Sequence, residues 1–140
     1  MSPLSEPGPV SVEEPVGEIV TSPPVTIDEK LTLREVAAVL AAADIGVAVV
    51  QHGDGTVSVV SERDVARSLA DDADPDTVWS ADVASDRLVT AEANEPILRV
   101  ARRMADEDVR HLLVVERGRV AGIVSARDVF RVFVEEALDR

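Results

Sequence analysis

Sliding the chain along itself by 64 residues lays 18–69 over 82–133 without a gap, and this internal repeat limits the fold more than any other feature. The identities in register include Val25/Val89, Thr26/Thr90, Val36/Val100, Ala37/Ala101, Ala41/Ala105 and Asp44/Asp108. They concentrate in S-x-R-D-V-x-R, read at 61–67 and again at 125–131. A chain that repeats a whole supersecondary unit is expected to fold into two similar halves.

Each copy carries the same order of signals. Pro24-Val25-Thr26-Ile27 after Pro23 reads as a short strand, and Thr32 with Glu35 three residues on forms a capping box that opens a helix. Leu33, Val36, Ala37 and Leu40 recur at helical spacing. The apolar runs 47–50 and 57–60, joined by Gly53-Asp54-Gly55, read as a hairpin, and Ser61 starts a second helix. The second copy predicts strands at 88–90, 111–115 and 120–124, a helix from Pro96 to about 107, and another from Ser125. Pro96 suits a first helical turn, where a missing N–H costs nothing. The fold class expected is α+β, two tandem β-α-β-β-α repeats with pseudo-two-fold symmetry. Each is preceded by a short amphipathic segment, Val16–Val20 or Ala81–Ala84. Residues 1–14, rich in Pro, Ser and Glu, are expected to be disordered. The repeats then span 15–72 and 78–138, with an acidic linker at 73–77.

Composition excludes several classes of function. There is no cysteine, so thiol nucleophiles, Cys-ligated zinc and iron–sulfur clusters are out. Two histidines, His52 and His111, are too few for a histidine-rich metal site and offer no recognisable Ser/His/Asp spacing. No metal-ligand set and no catalytic residue is expected. The acidic run Asp71, Asp72, Asp74, Asp76 lacks the glycine and the distal glutamate of a calcium loop and reads as a solvated linker. A net charge of -13 opposes binding to phosphate backbones and anionic lipid, so neither nucleic acid nor membrane is an expected partner. Without an apolar stretch near the ~20 residues of a membrane span or a signal-peptide pattern at the start, the expected location is the cytoplasm. The single tryptophan, Trp79, is expected to anchor the linker into the core, with a place at a dimer face as the alternative.

Strand–Gly-h-h-Ser-x-x-Asp–helix, with h an apolar residue, occurs in full as Gly122-Ile123-Val124-Ser125-Ala126-Arg127-Asp128 and with one departure as Ser58-Val59-Val60-Ser61-Glu62-Arg63-Asp64. Upstream lie Val16-Gly17-Glu18-Ile19-Val20-Thr21 and Ala81-Asp82-Val83-Ala84-Ser85. Taken together over about 15–135, these segments resemble the CBS domain, the family named after cystathionine β-synthase. The resemblance implies a paired (Bateman) module, often a homodimer, that regulates an attached or partner protein. In many members AMP, ADP, ATP or S-adenosylmethionine binds between the repeats. No cofactor is required.

The same resemblance gives the candidate ligand-binding residues. A carboxylate at a helix start can accept hydrogen bonds from both ribose hydroxyls, and Asp64 and Asp128 hold that position. Ser61 and Ser125, with the free N–H groups of the first turn, suit a ribose or phosphate oxygen. Aliphatic walls for the base would come from Val25 and Thr26 with Ile19 and Val20, or from Val89 and Thr90 with Val83 and Ala84. Arg63 and Arg127 lie inside the motif, and Arg110 and His111 precede a strand where the first copy has Gly46 and Val47. The copy holding Asp128 is therefore the better equipped for an anion.

A plainer account competes with this one. Ser-x-x-Asp after an apolar strand is also a helix N-cap with an acid at the third helical position, favoured without any ligand. Two functions follow: a stand-alone, non-catalytic sensor of an adenine nucleotide that signals through assembly, or a ligand-free structural or dimerisation module.

Overall fold

The computed structural model describes residues 10–20 and 23–139. After a 3-10 turn over Val16–Ile19 the elements are β1 (Thr26–Asp28), α1 (Leu33–Ala43), β2 (Val47–Gln51), β3 (Val57–Ser61), α2 (Glu62–Ala70), α3 (Ser80–Val83), β4 (Thr90–Glu92), α4 (Ile97–Glu107), β5 (His111–Glu116), β6 (Arg119–Ser125) and α5 (Ala126–Leu138). Two three-stranded sheets form, β1-β2-β3 and β4-β5-β6. In each, the first pair is parallel across a helical crossover and the second is an antiparallel hairpin. The β-α-β-β-α order expected from the repeat is present twice.

The chain divides into two compact units, 24–88 and the rest. In the 24–88 unit, Leu33, Val36 and Leu40 from α1 meet Ile27, Ala48, Val50, Val60 and Val65 in one apolar core. Val50 and Val60 are fully buried, each stabilising by about 1.5–3 kcal/mol relative to exposure. The Thr32 capping box forms as its sequence predicts: Thr32 Oγ1 accepts from the Glu35 N–H at 3.2 Å, and Glu35 Oε1 accepts from the Thr32 N–H at 2.9 Å. At the hairpin, Gly55 takes φ +89°, a left-handed value that glycine adopts without strain.

The second unit is built around Ala91, Ile97, Val100, Met104, Leu112, Val114, Val124, Val129 and Val132, and it also takes in the N-terminal segment. Val16 is fully buried in this core, with Val10, Val12, Ile19 and Val20 packed against it. Pro96 is the N-cap of α4, one position ahead of the first turn where the sequence put it, and it offers no capping side chain. Backbone carbonyls fill that role instead. The Ile97 N–H donates to Glu14 O at 2.9 Å and the Leu98 N–H to Val12 O at 2.8 Å. So Val10 to Glu14, the described part of the segment expected to be disordered, is held by α4; residues 1–9 lie outside the described residues. Gly17 permits the close approach: a Cβ there would sit 3.2 Å from Ala93 Cβ and from its carbonyl oxygen.

The 24–88 unit repeats this device. Val78 O and Pro75 O accept from the Leu33 and Arg34 N–H groups, each at 2.9 Å. Each packed unit thus joins the strands and helices of one repeat to the segment that precedes the other. The sequence repeats and the compact units partition the chain differently.

Candidate functional site

In the second unit, β6 runs directly into α5, and the junction is a complete capping box. The Asp128 N–H donates to Ser125 Oγ at 3.1 Å, and the Ser125 N–H donates to Asp128 Oδ2 at 3.0 Å. The plainer capping role is therefore filled. It engages only one carboxylate oxygen, and Oδ1 has no partner among the described residues. Three strands bring the other candidates to the same end of the sheet. His111 is the register partner of Ser125 across β5–β6, and Thr90 that of Leu113 across β4–β5. The Ala126 N–H donates to Arg110 O at 2.7 Å, fixing Arg110 at the first turn of α5, and the Leu113 N–H donates to Val89 O at 3.1 Å. Ser125, Asp128, His111 and Val89 are half-buried, whereas Thr90, Arg110 and Arg127 are exposed. The guanidinium groups of Arg110 and Arg127 have no ion-pair or hydrogen-bond partner among the described residues.

The 24–88 unit builds the same corner from different residues. Val47 is the register partner of Ser61, the Glu62 N–H donates to Gly46 O at 2.9 Å, and the Val49 N–H donates to Val25 O at 2.9 Å. Ser61 and Asp64 form the box at 3.1 and 2.8 Å, with Arg63 and Thr26 exposed beside it. One bond is added here. The Ser61 hydroxyl also lies 2.9 Å from Asp64 Oδ2; a carboxylate only accepts, so that hydroxyl proton is already in use. Ser125 has no equivalent bond to Asp128.

The aliphatic candidates are sorted by the exchange of segments. Ile19 and Val20 pack against the core that holds Val89, while Val83 and Ala84 pack against the core that holds Val25. Trp79 does not bury its ring: it is 45% exposed, with Lys30 Nζ 5.7 Å from the ring centroid. Its segment is tied down by backbone, through a bridge between Thr32 and Trp79. In the acidic linker, Asp76 pairs with Arg34, Nε to Oδ1 at 2.6 Å.

One side-chain chain was not foreseen from spacing. His52 Nδ1 lies 3.0 Å from Glu29 Oε2 and His52 Nε2 2.7 Å from Ser58 Oγ. Since Glu29 can only accept, neutral His52 carries its proton on Nδ1 and Ser58 donates to Nε2. The hydrogen bond from His52, with that from the Gly53 N–H, holds the Glu29 carboxyl below the ordinary value. The order of groups matches that of a hydrolase triad, but Ser58 is fully buried. It presents no nucleophile to a substrate, so the chain serves as a structural tie between the loop after β1 and the β2–β3 hairpin. The second copy has Ala93, Glu116 and Gly122 at these places.

Comparison with known proteins gives consistent matches. The family model described as CBS domain matches residues 16–71 and 80–135. An uncharacterised protein of Methanocaldococcus jannaschii is 30% identical over 122 residues, covering 86% of this chain; the chain spans 43% of that relative's length. Among solved structures, a CBS domain protein from Pyrobaculum aerophilum complexed with AMP is 32% identical, with TM-score 0.77 over 89% of this chain and 98% of its own. A CBS domain pair in complex with 5′-methylthioadenosine and S-adenosyl-L-methionine is 25% identical, with TM-score 0.76 over 87% of this chain and 97% of that one. No helix among the described residues is long and apolar enough to cross a membrane.

Proposed function

The chain belongs to the CBS domain family, and from that premise we propose that it is a regulatory binding module for an adenosine-bearing ligand, an adenine nucleotide such as AMP, ADP or ATP or a relative such as S-adenosylmethionine. The observation that carries this reading is the division of labour within Asp128. Its Oδ2 completes the cap of α5, while Oδ1 stands half-buried at the sheet end and can accept from a ribose hydroxyl at charge-assisted strength. Val89 offers an aliphatic surface at the same end of the sheet, and, with the Ala126 and Asp128 amides already engaged by Arg110 O and Ser125 Oγ, the Arg127 N–H is the first-turn amide left to donate. The AMP complex of one similar structure and the methylthioadenosine complex of another support the ligand class. Asp64 with Ser61, Val25 and Thr26 forms the corresponding candidate in the 24–88 unit.

The output proposed is assembly, as a homodimer and with a protein partner, from a cytoplasmic protein. Ligand affinity that differs between two arrangements would shift their populations. The rival, a ligand-free dimerisation module, is favoured by one observation: in both Ser-x-x-Asp boxes the serine and the aspartate satisfy each other's backbone N–H, a complete helix-capping role.

Thermal denaturation in the presence of AMP, ATP, 5′-methylthioadenosine and S-adenosylmethionine separates the two. A ligand at a hundred times its dissociation constant adds about 2.7 kcal/mol to stability. Asp128→Asn keeps an acceptor for the Ser125 N–H but replaces the other oxygen with a donor. It should retain the fold and lose the stabilisation by AMP. No shift with any of the four compounds would favour the ligand-free module.

A further inference from the structure

The two helix starts are alike in backbone and opposite in charge. Around α5 stand two exposed arginines, Arg110 and Arg127, against one carboxylate, Asp128, with uncharged Ala126 opening the helix. Around α2 stands one arginine, Arg63, against Glu62 and Asp64, and the residue whose carbonyl meets the first helical amide is Gly46 in place of Arg110. The serines differ in the same sense. The Ser61 hydroxyl proton is engaged by Asp64 Oδ2 at 2.9 Å, whereas Ser125 makes no such bond and can donate outward.

Resting on the reading above, we propose that the two sites take adenosine ligands of different charge: the α5 site a 5′-phosphorylated adenosine, the α2 site an adenosine whose 5′ substituent is neutral or cationic. A phosphate at α5 meets a free hydroxyl donor and two guanidinium groups, each a planar fork of N–H donors that can engage two oxygens of the tetrahedral phosphate at once. At α2 a phosphate oxygen would meet the field of Glu62 and Asp64, and would have to displace Asp64 Oδ2 as the acceptor of the Ser61 hydroxyl hydrogen bond. A thioether lacks that charge, and a sulfonium gains from the two acids. The overall charge of -13 sharpens the contrast, because an anion gains only where arginines locally reverse the field.

Titration calorimetry of the full chain with AMP, 5′-methylthioadenosine and S-adenosylmethionine tests this, using Asn variants that preserve the caps and circular dichroism to verify folding. AMP affinity should fall tenfold or more in Asp128→Asn and in Arg110→Ala. Methylthioadenosine affinity should fall by a similar factor in Asp64→Asn. The double variant Gly46→Arg with Glu62→Ala should add a second AMP site. AMP affinity falling as far in Asp64→Asn as in Asp128→Asn, or both ligands failing in the same single variant, would overturn the division while leaving adenosine binding intact. Silence of the wild type to all three compounds would remove the underlying reading and this inference with it.

Discussion

Ser58 and Gly122 occupy equivalent places, opposite Val50 in one hairpin and Val114 in the other. The added hydroxyl in the first copy does not stand alone, since His52 and Glu29 complete its hydrogen bonding. Ser58→Ala should therefore cost about 0.5–1.5 kcal/mol, the net value of one such bond, measured by urea denaturation with no change in slope. A second residue-scale prediction concerns acid. Arg103 donates to both oxygens of Glu95, at 2.6 and 3.0 Å, and holds that carboxyl below its ordinary 4.5. The folded value lies below the unfolded one, so the stabilisation is complete above about pH 4.5 and is lost as the pH falls through the lowered value. Glu95→Gln should lower stability at neutral pH and flatten the acid limb of the stability profile. Neither cluster was legible in the sequence. Glu29 and Ser58 lie 23 and 6 residues from His52, and only the sheet register brings them together. Ser61, Asp64, Ser125 and Asp128 were legible, because a capping box is a local signal.

The elements followed the sequence closely, for the same local reasons: β-branched runs, a Gly-rich turn and side-chain caps; the exception is the strand expected at 88–90, which lies at Thr90–Glu92. The ownership of the segments between them did not. Val12 O and Glu14 O cap α4 in place of a side chain, and a carbonyl leaves no trace in residue identity. That is why 10–14 reads as a polar tail when taken from composition alone. Val16 is the test at this scale. It is fully buried in the core of the second unit, so Val16→Ala should cost about 2 kcal/mol. Hydrogen exchange should then quicken at the Ile97 and Leu98 amides of α4 before those of α1. Equal loss of protection in both helices would mean the N-terminal segment is not specific to its unit.

For the whole molecule, the repeat gives two copies of one corner that differ in charge, with Arg110 and Ala126 at α5 where α2 has Gly46 and Glu62. α5 leaves Phe130 68% and Leu138 81% exposed, with Val134 between them on the same helical face. A homodimer that covers this face should run at twice the 14.9 kDa of the chain in light scattering, and Phe130→Asp should return it to the monomer mass. The most direct test of the central claim is an amide NMR titration with AMP. Binding at the α5 corner predicts that the largest shifts fall on Val89, Thr90, Arg110, His111 and Ser125 to Asp128, and that Asp128→Asn suppresses them. A spectrum that does not move, or one that moves mainly at the β2–β3 hairpin, would contradict it.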